Sequence, residues 1–482
     1  MKFKTEFLEN SEIQLIDGDR GKNYPKQADF SQQGDCLFLS AKNVTLSGFE
    51  FSETSFINKE KDEILRSGKL QRGDIVVTTR GTIGNIAFYS DDVPFDHIRI
   101  NSGMMIFRAS EERWNRRFLY FLLTSNFIKQ QIESLTSGSA VPQLPARDLK
   151  KFELPNIPKG IQDSIEKIIG DLSDKIKLNR QTNQTLEHIA QVIFKSWFVD
   201  FEPVKAKIAA KQAFNALTPA EKAGLTAQDY IEQAAQCAIA GKTKEQLQQL
   251  DSDTQQKLKT TAALFPDALV DSELGDIPDG WGAGMMQDCC ERVESGGTPS
   301  RKEGAYWNGS IKWLSSGEVR NVIILNTKEK ITEKGLKNSN AKLWPKGSTV
   351  VAMYGATAGQ VCLLASEVTA NQACCALVPK NNQESYMFLS AKRSIESLAG
   401  KASGSAQQNL NKSLVSEHEL LIPPPQVLTE FENIASKLIN KWQQNIKENH
   451  ELTELRDTLL PKLLSGELTL SSDKVAEMAG TA

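Results

Sequence analysis

The sequence predicts an α+β protein made of two tandem copies of one α/β unit, each followed by a long heptad helix. Three observations predict it. Ile165–Phe198 aligns without a gap on Phe431–Leu464 at an offset of 266 residues. The same offset sets Ser137-Gly138-Ser139-Ala140 over Ser403-Gly404-Ser405-Ala406, Leu144 over Leu410, Glu153-Leu154 over Glu419-Leu420, and Pro158 over Pro424. Upstream, Gly73–Gly81 (GDIVVTTRG) pairs with Gly347–Gly355 (GSTVVAMYG), and Gly34–Val44 pairs with Gly309–Val319. A scaffold whose conformational residues are kept while its surface residues diverge suits one frame used twice, to read two different things.

The first copy occupies residues 1–158. Its β-branched or apolar runs Cys36–Leu39, Ile75–Thr79 and Met104–Phe107 are separated by Gly, Asn and Asp turns, as short strands are. Trp114–Ile132 carries large apolar residues at helical spacing and is expected to pack across that sheet. A Ser/Gly/Pro loop, Thr136–Pro145, follows. Pro155 and Pro158 then disfavour helix just before the long one begins.

The first long helix, placed in 159–202, has a 4-3-4-3 seam of Ile165, Ile169, Leu172, Ile176, Asn179, Asn183, Leu186, Ala190, Ile193 and Trp197. The second, in 426–468, repeats it with Phe431, Ala435, Leu438, Trp442, Asn445, Asn449, Leu452, Arg456, Leu459 and Leu463. Such spacing is the coiled-coil signature, and about 33 residues at 1.5 Å rise make roughly 50 Å. Each helix could pack on its own domain. The length of the seam, and the two Asn at the middle of each, favour mutual pairing, because buried polar seam residues fix register at a cost in stability. Parallel and antiparallel pairing would both align the Asn layers, so direction stays open. Pro461 predicts a kink or an early end.

Residues 203–273 form an Ala/Gln/Lys-rich insert of short amphipathic helices and linker. The second copy covers 274–425, and 469–482 is expected to be a flexible tail.

Bulk composition excludes several classes. The chain has 482 residues, 40% hydrophobic and 24% charged, which is ordinary for a globular protein. No apolar run approaches the roughly 20 residues of a membrane span. No signal-peptide core is visible, so a cytoplasmic location is expected. The seven cysteines lack metal or redox spacing and read as small buried hydrophobes. Net charge is −3, so any grip on DNA must be a local basic face or be helped by a partner's charge.

Catalytic motifs are not found. Ala240-Gly241-Lys242-Thr243 lacks the Gly five residues before its Gly-Lys, since Gln stands at 236. His97, His188, His418 and His450 have no metal spacing, and no G-x-S-x-G or H-E-x-x-H occurs. No catalytic residue, metal site or cofactor is therefore assigned to this chain. The two glycine turns, Thr79–Gly84 and Met353–Gly359, read either as structural hairpins or as DNA-facing loops. In the second reading Arg80 would contact guanine or phosphate, and Tyr354 would act differently at the equivalent place. The candidate DNA-binding residues are Lys42, Asn43, Thr79, Arg80, Gly81, Thr82, Ser137, Ser139, Gln143, Arg320, Asn321, Tyr354, Gly355, Thr357, Ser403, Ser405 and Asn409.

In order along the duplicated chain, several segments resemble the specificity (S) subunit of type I restriction–modification systems. They are the paired glycine turns and Ser-Gly-Ser-Ala loops, Ser196–Val204 (SWFVDFEPV), Ser272-Glu273-Leu274-Gly275, Ile277–Trp281 (IPDGW), Ser295–Pro299 (SGGTP), Tyr306–Gly309 (YWNG) and Leu459–Leu468 (LLPKLLSGEL). The resemblance implies two target-recognition domains, each reading half of a split, asymmetric double-stranded DNA site. It implies that the long helices form an antiparallel coiled coil that sets the spacing and docks two modification methyltransferase subunits. Those partners would bring S-adenosylmethionine, and restriction translocase-nuclease subunits would bring ATP and Mg. This chain itself would be non-catalytic, with no membrane contact. The first copy departs from the family pattern at its start, where Gly18-Asp19-Arg20-Gly21 stands roughly where Ser295-Gly296-Gly297 stands in the second. A coiled-coil adaptor that binds protein only is the alternative.

Overall fold

The computed structural model describes residues 3–136, 143–394 and 410–468. The chain divides into two compact units, one of residues 1–178 and 449–482, the other of residues 179–448.

In unit 1 a four-stranded antiparallel sheet runs in the order Ile13–Asp17, Met104–Ala109, Ile75–Thr78, Ile86–Phe88. Its central strands are continuous apolar runs because both faces are covered. Ile75, Val77, Met105 and Phe107 pack with Phe118, Leu122 and Ile128 of the following helices. Val76, Ala87, Met104 and Ile106 face Leu37, Leu39, Ile98 and Ile100. The latter belong to a three-stranded sheet in which Cys36–Leu39 pairs antiparallel with Phe56–Ile57 and parallel with Ile98–Ile100. The stretch expected as one helix from Trp114 is two, Arg116–Thr124 and Asn126–Thr136. Asn115 caps the first by accepting the Phe118 N–H at 2.9 Å. Ser125 ends it in an extended conformation, its hydroxyl donating to the Leu122 carbonyl at 2.6 Å.

Unit 2 repeats the plan. Cys290–Ser295, Cys374–Pro379, Thr349–Ala352 and Val361–Leu364 lie side by side antiparallel, and Ile323–Ile324 adds a parallel edge. Trp307–Leu314 pairs antiparallel with Glu329–Ile331 and parallel with Thr369–Ala370, the same senses as in unit 1. Each unit also ties its start to its end by a two-stranded sheet, Thr5–Phe7 with Glu153–Pro155 and Gly282–Met285 with Glu419–Ile422.

The long helices are Lys159–Phe198, 40 residues, and Pro425–Ser465, 41 residues. Every seam position is buried or half-buried. Direction is settled inside each unit. In unit 2 Asn179 donates to Glu448 at 2.8 Å, Asn183 accepts from Asn445 at 2.9 Å, and Trp197 lies 5.9 Å from Phe431 between ring centroids. In unit 1 Ile165 and Ile169 share a core with Leu460, Leu463 and Leu464. The pairing is antiparallel. Pro461 does not end its helix, which runs on to Ser465. Buried Leu463 and Leu464 hold the last turn, so the missing N–H costs one bond near a terminus rather than in the middle.

The insert forms helices Glu202–Ala216, Ala227–Ala240, Lys244–Gln248 and Ser252–Ala262. Phe201, at φ 53°, turns the chain sharply from the long helix into the first of them. Lys207, 3% exposed, anchors this bundle by donating to Glu232 at 2.8 Å and to the Phe265 carbonyl at 2.7 Å. Trp197 and Phe198 join Phe265, Trp281, Tyr386 and Phe431 in one aromatic cluster. That cluster gives the Ser196–Val204 segment a structural reason.

Candidate nucleic-acid interface

Three backbone segments meet at one end of each unit's main sheet. In unit 1 the strand Ile75–Thr78 leads into Thr79-Arg80-Gly81-Thr82. The Thr79 and Arg80 N–H groups donate to the Gly103 carbonyl at 2.8 and 3.2 Å, and the Thr79 carbonyl accepts the Leu144 N–H at 3.0 Å. In unit 2 the Met353 N–H donates to the Ala373 carbonyl at 2.7 Å, and the Met353 carbonyl accepts the Leu410 N–H at 2.8 Å. The glycine turn is therefore stitched in both units to the residue that follows the Ser-Gly-Ser-Ala loop. Gly81 and Gly355 take φ of 76° and 72°, values that L side chains rarely adopt. The third component is the turn around Ser40–Asn43 and Ser315–Glu318. The Ser40 N–H reaches Asn43 Oδ1 at 2.9 Å, and the Ser315 N–H reaches Glu318 Oε2 at 3.1 Å.

The candidate residues sort clearly on this frame. Arg80, Gly81, Thr82, Gln143, Arg320, Asn321, Tyr354 and Gly355 are exposed. The guanidinium groups of Arg80 and Arg320 have no ion pair among the described residues, which leaves them free for an anion or a base edge. Lys42 is exposed but sits 2.7 Å from Glu53. Three expectations need correction. Asn43 is 3% exposed, and its amide donates to the Glu50 and Glu53 carbonyls at 3.0 and 2.7 Å, so it holds the loop and presents nothing outward. Thr79 and Thr357 are 7% and 6% exposed and serve the turn through their backbone and packing. Ser137, Ser139, Ser403, Ser405 and Asn409 lie outside the described residues, as does the 469–482 tail.

The seam residues Ile165, Ile169, Leu172, Ile176, Asn179, Asn183, Leu186, Trp197, Phe431, Leu438, Trp442, Asn445, Asn449, Leu452, Leu459 and Leu463 are buried or half-buried, and the exposed positions of the same helices lie elsewhere on them. Gly241-Lys242-Thr243 is a helix boundary: Gly241 ends one helix at φ 60° and Thr243 caps the next. Among the described residues no group of His, Cys, Asp or Glu could hold a metal ion. Six cysteines are buried and Cys237 is half-buried. Burial pushes the Cys290 thiol up to about 12 and that of Cys289 to about 11.

Sequence reasoning missed a fourth turn. Asn101 Oδ1 accepts the Gly103 N–H at 2.8 Å, and Asn371 Oδ1 accepts the Ala373 N–H at 3.1 Å. These turns directly abut the glycine turns. The signal available was one shared Asn after an apolar pair, Ile100-Asn101 against Ala370-Asn371, which is too small to stand out.

Comparison with known proteins gives this frame a family. A profile described as the type I restriction modification DNA specificity domain matches residues 4–188 and again 278–454. The chain is 30% identical over 470 residues to the type I restriction enzyme HindI specificity subunit of Haemophilus influenzae, covering 94% of this chain and 98% of that one. It is 22% identical over 405 residues to the MjaIX specificity subunit of Methanocaldococcus jannaschii, covering 82% and 78%. The fold is similar to that of a type I S subunit from M. genitalium, with a TM-score of 0.51 at 14% identity over 96% of both chains. The chain belongs to the specificity-subunit family of type I restriction–modification systems.

Proposed function

We propose that this chain is the DNA-reading subunit of a type I restriction–modification complex, each unit reading one half of a bipartite, asymmetric duplex site. The observation that carries this is the duplicated frame with unlike side chains: identical stitching of the glycine turns, but Arg80 facing out in one unit and Tyr354 in the other. An Arg fork suits guanine or phosphate, and a Tyr ring suits packing and single hydrogen bonds, so the two edges would prefer different sequences.

The helix pair supports the spacer role. Each helix is continuous over about 60 Å at 1.5 Å per residue, and a polar layer fixes its register. Two methyltransferase subunits would dock on the outward faces, where Ile189 and Val192 are 39% and 49% exposed and Leu455 is 47% exposed. They would hold S-adenosylmethionine and methylate adenine. Restriction translocase-nuclease subunits with ATP and Mg would supply cleavage, leaving this chain non-catalytic. A formal charge of −3 makes weak binding by the isolated chain the expected behaviour, with partners neutralising phosphates. Among the described residues no helix is long and apolar enough to cross a membrane.

The test is genome-wide mapping of N6-methyladenine in cells expressing the partner methyltransferase, with and without this chain. A split motif that appears only with the chain supports the reading. Lengthening both long helices by one turn should then change the number of unspecified base pairs. No new methylation, with the partner bound and active, would favour the protein-only adaptor.

A further inference from the structure

The strand registers place the two units in residue-by-residue correspondence at the start of each sheet. Asp17 pairs with Met105, and Ser295 pairs with Cys375. Met104 pairs with Thr78, and Cys374 pairs with Ala352. Gly18 is thus equivalent to Gly296, Arg20 to Thr298, and Ser102 to Gln372. The backbone proves the match. A Cβ on Gly18 would lie 2.2 Å from the Asn101 carbonyl oxygen, and one on Gly296 would lie 2.2 Å from that of Asn371. Only glycine permits this approach, and it brings position 20 or 298 beside position 102 or 372.

What meets there differs between the units. In unit 1 Arg20 Nη2 donates to the Ser102 carbonyl at 3.3 Å and pairs with Asp17 at 2.8 Å, with the Arg side chain 52% exposed. In unit 2 the Thr298 hydroxyl donates to Gln372 Oε1 at 2.6 Å, and Gln372 is exposed. The first spot adjoins its glycine turn, since Arg80 Cβ is 3.6 Å from where a Gly103 Cβ would stand, and the second does so through Ala373, whose carbonyl accepts the Met353 N–H at 2.7 Å.

We infer that Arg20 and Gln372 are base-reading residues of the first and second half-sites, Arg20 for a guanine and Gln372 for an adenine. This rests on the DNA-reading function proposed above. Arg20 spends Nη2 on Asp17 and Ser102, which fixes the plane of its guanidinium; both two-pronged edges of the group include Nη2, so Nη1 is left to donate a single hydrogen bond to guanine O6 or N7. Gln372 accepts the Thr298 hydroxyl with one lone pair of Oε1. The other lone pair accepts from adenine N6–H2 while Nε2–H2 donates to adenine N7. Thr298 is a positioning residue, because it fixes which way the amide points.

The experiment maps methylation motifs for the full chain with its methyltransferase. Arg20→Ala should relax one guanine in one half-site, and Gln372→Ala one adenine in the other, with roughly 5- to 150-fold discrimination lost at the bidentate Gln372 position and a smaller loss at the Arg20 position. Thr298→Val, which keeps shape without the hydroxyl, should relax the same position as Gln372→Ala. The half-site read by the untouched unit serves as the internal control for folding. A motif unchanged at every position overturns the inference, as does a uniform fall in methylation with the motif intact, which marks a phosphate contact. If an alanine variant abolishes methylation, Arg20→Gln or Gln372→Glu replaces it, and an unaltered motif there overturns the inference equally. No motif with the unmodified chain is a different result, the failure of the DNA-reading proposal itself.

Discussion

The polar layer of the helix pair gives a prediction with two opposite signs. Asn445 is 1% exposed and Asn183 7%, joined by a single 2.9 Å bond, and the Oδ1 atom of Asn445 has no partner among the described residues. Replacing only Asn445 by Ala leaves the Asn183 amide buried without its donor. That costs about 1–3 kcal/mol, or roughly one to two powers of ten in local exchange protection. Replacing both by Leu removes two buried amides, one of them half-satisfied, and adds apolar burial. Replacing both partners of a buried hydrogen bond by apolar groups of similar shape is nearly neutral to stabilising. Hydrogen exchange of the intact chain, read on 183–198 and 438–448, follows unit 2's part of the helix pair without requiring a single unfolding transition. Finding Asn183→Leu/Asn445→Leu less protected than Asn445→Ala would refute the reasoning. The amide pair would then be a net stabiliser rather than a register device.

Four further outcomes follow from the packing. Gly296→Ala places a methyl 2.2 Å from the Asn371 carbonyl oxygen, where only backbone can yield, so it should cost about 3 kcal/mol, the upper end of the overpacking range, seen as lost protection of Thr369–Ala370; wild-type stability would contradict that backbone approach. Trp197→Ala empties a site 1% exposed between Phe265 and Phe431 and should cost about 3–5 kcal/mol in the same unit, by exchange or denaturant titration. Glu432, 7% exposed, accepts the Ser385 and Tyr386 N–H groups at 2.7 and 3.0 Å, and burial raises its carboxyl above the ordinary 4.5. A raised folded value means the native state holds the proton more tightly, so its contribution is present below about 4.5 and is lost as pH rises through the folded value. Glu432→Gln, which keeps an acceptor, should flatten stability against pH over that window, and an unchanged slope would count against it. Cys237 is half-buried while the other six cysteines are buried, so a thiol reagent at pH 8 should label Cys237 first; equal labelling in the folded protein would be inconsistent with the core described.

The parts of this molecule that were legible in the sequence are those that local chemistry fixes. Continuous runs such as Ile75-Val76-Val77 announced strands, and heptads announced the helices, because burial acts on each residue type directly. Helix direction was not legible, since paired Asn layers align either way; contacts such as Trp197 on Phe431 and Ile165 with Leu463 decide it. The early end that Pro461 offered does not occur, because a helix-breaking tendency of about 3 kcal/mol is overruled when two buried leucines follow it. Asn43 misled because a loop amide and a base-reading amide look alike until their hydrogen bonds are counted. The correspondence between Arg20 and Thr298 was hidden for a geometric reason. The offset between the units falls from 278 at Asp17 and Ser295 to 270 at Met105 and Cys375 and 266 at Leu144 and Leu410, as loops of unlike length intervene. No single ungapped alignment spans that drift, whereas ladder registers and the 2.2 Å glycine approaches fix it locally. The same separation explains how such a scaffold diversifies. Backbone groups of Thr79, Gly103 and Leu144, and of Met353, Ala373 and Leu410, hold the frame through N–H and carbonyl groups that every side chain shares. Substitution at Arg20, Arg80, Tyr354 or Gln372 therefore leaves the frame's hydrogen bonds in place, and specificity is free to change where stability does not depend on it.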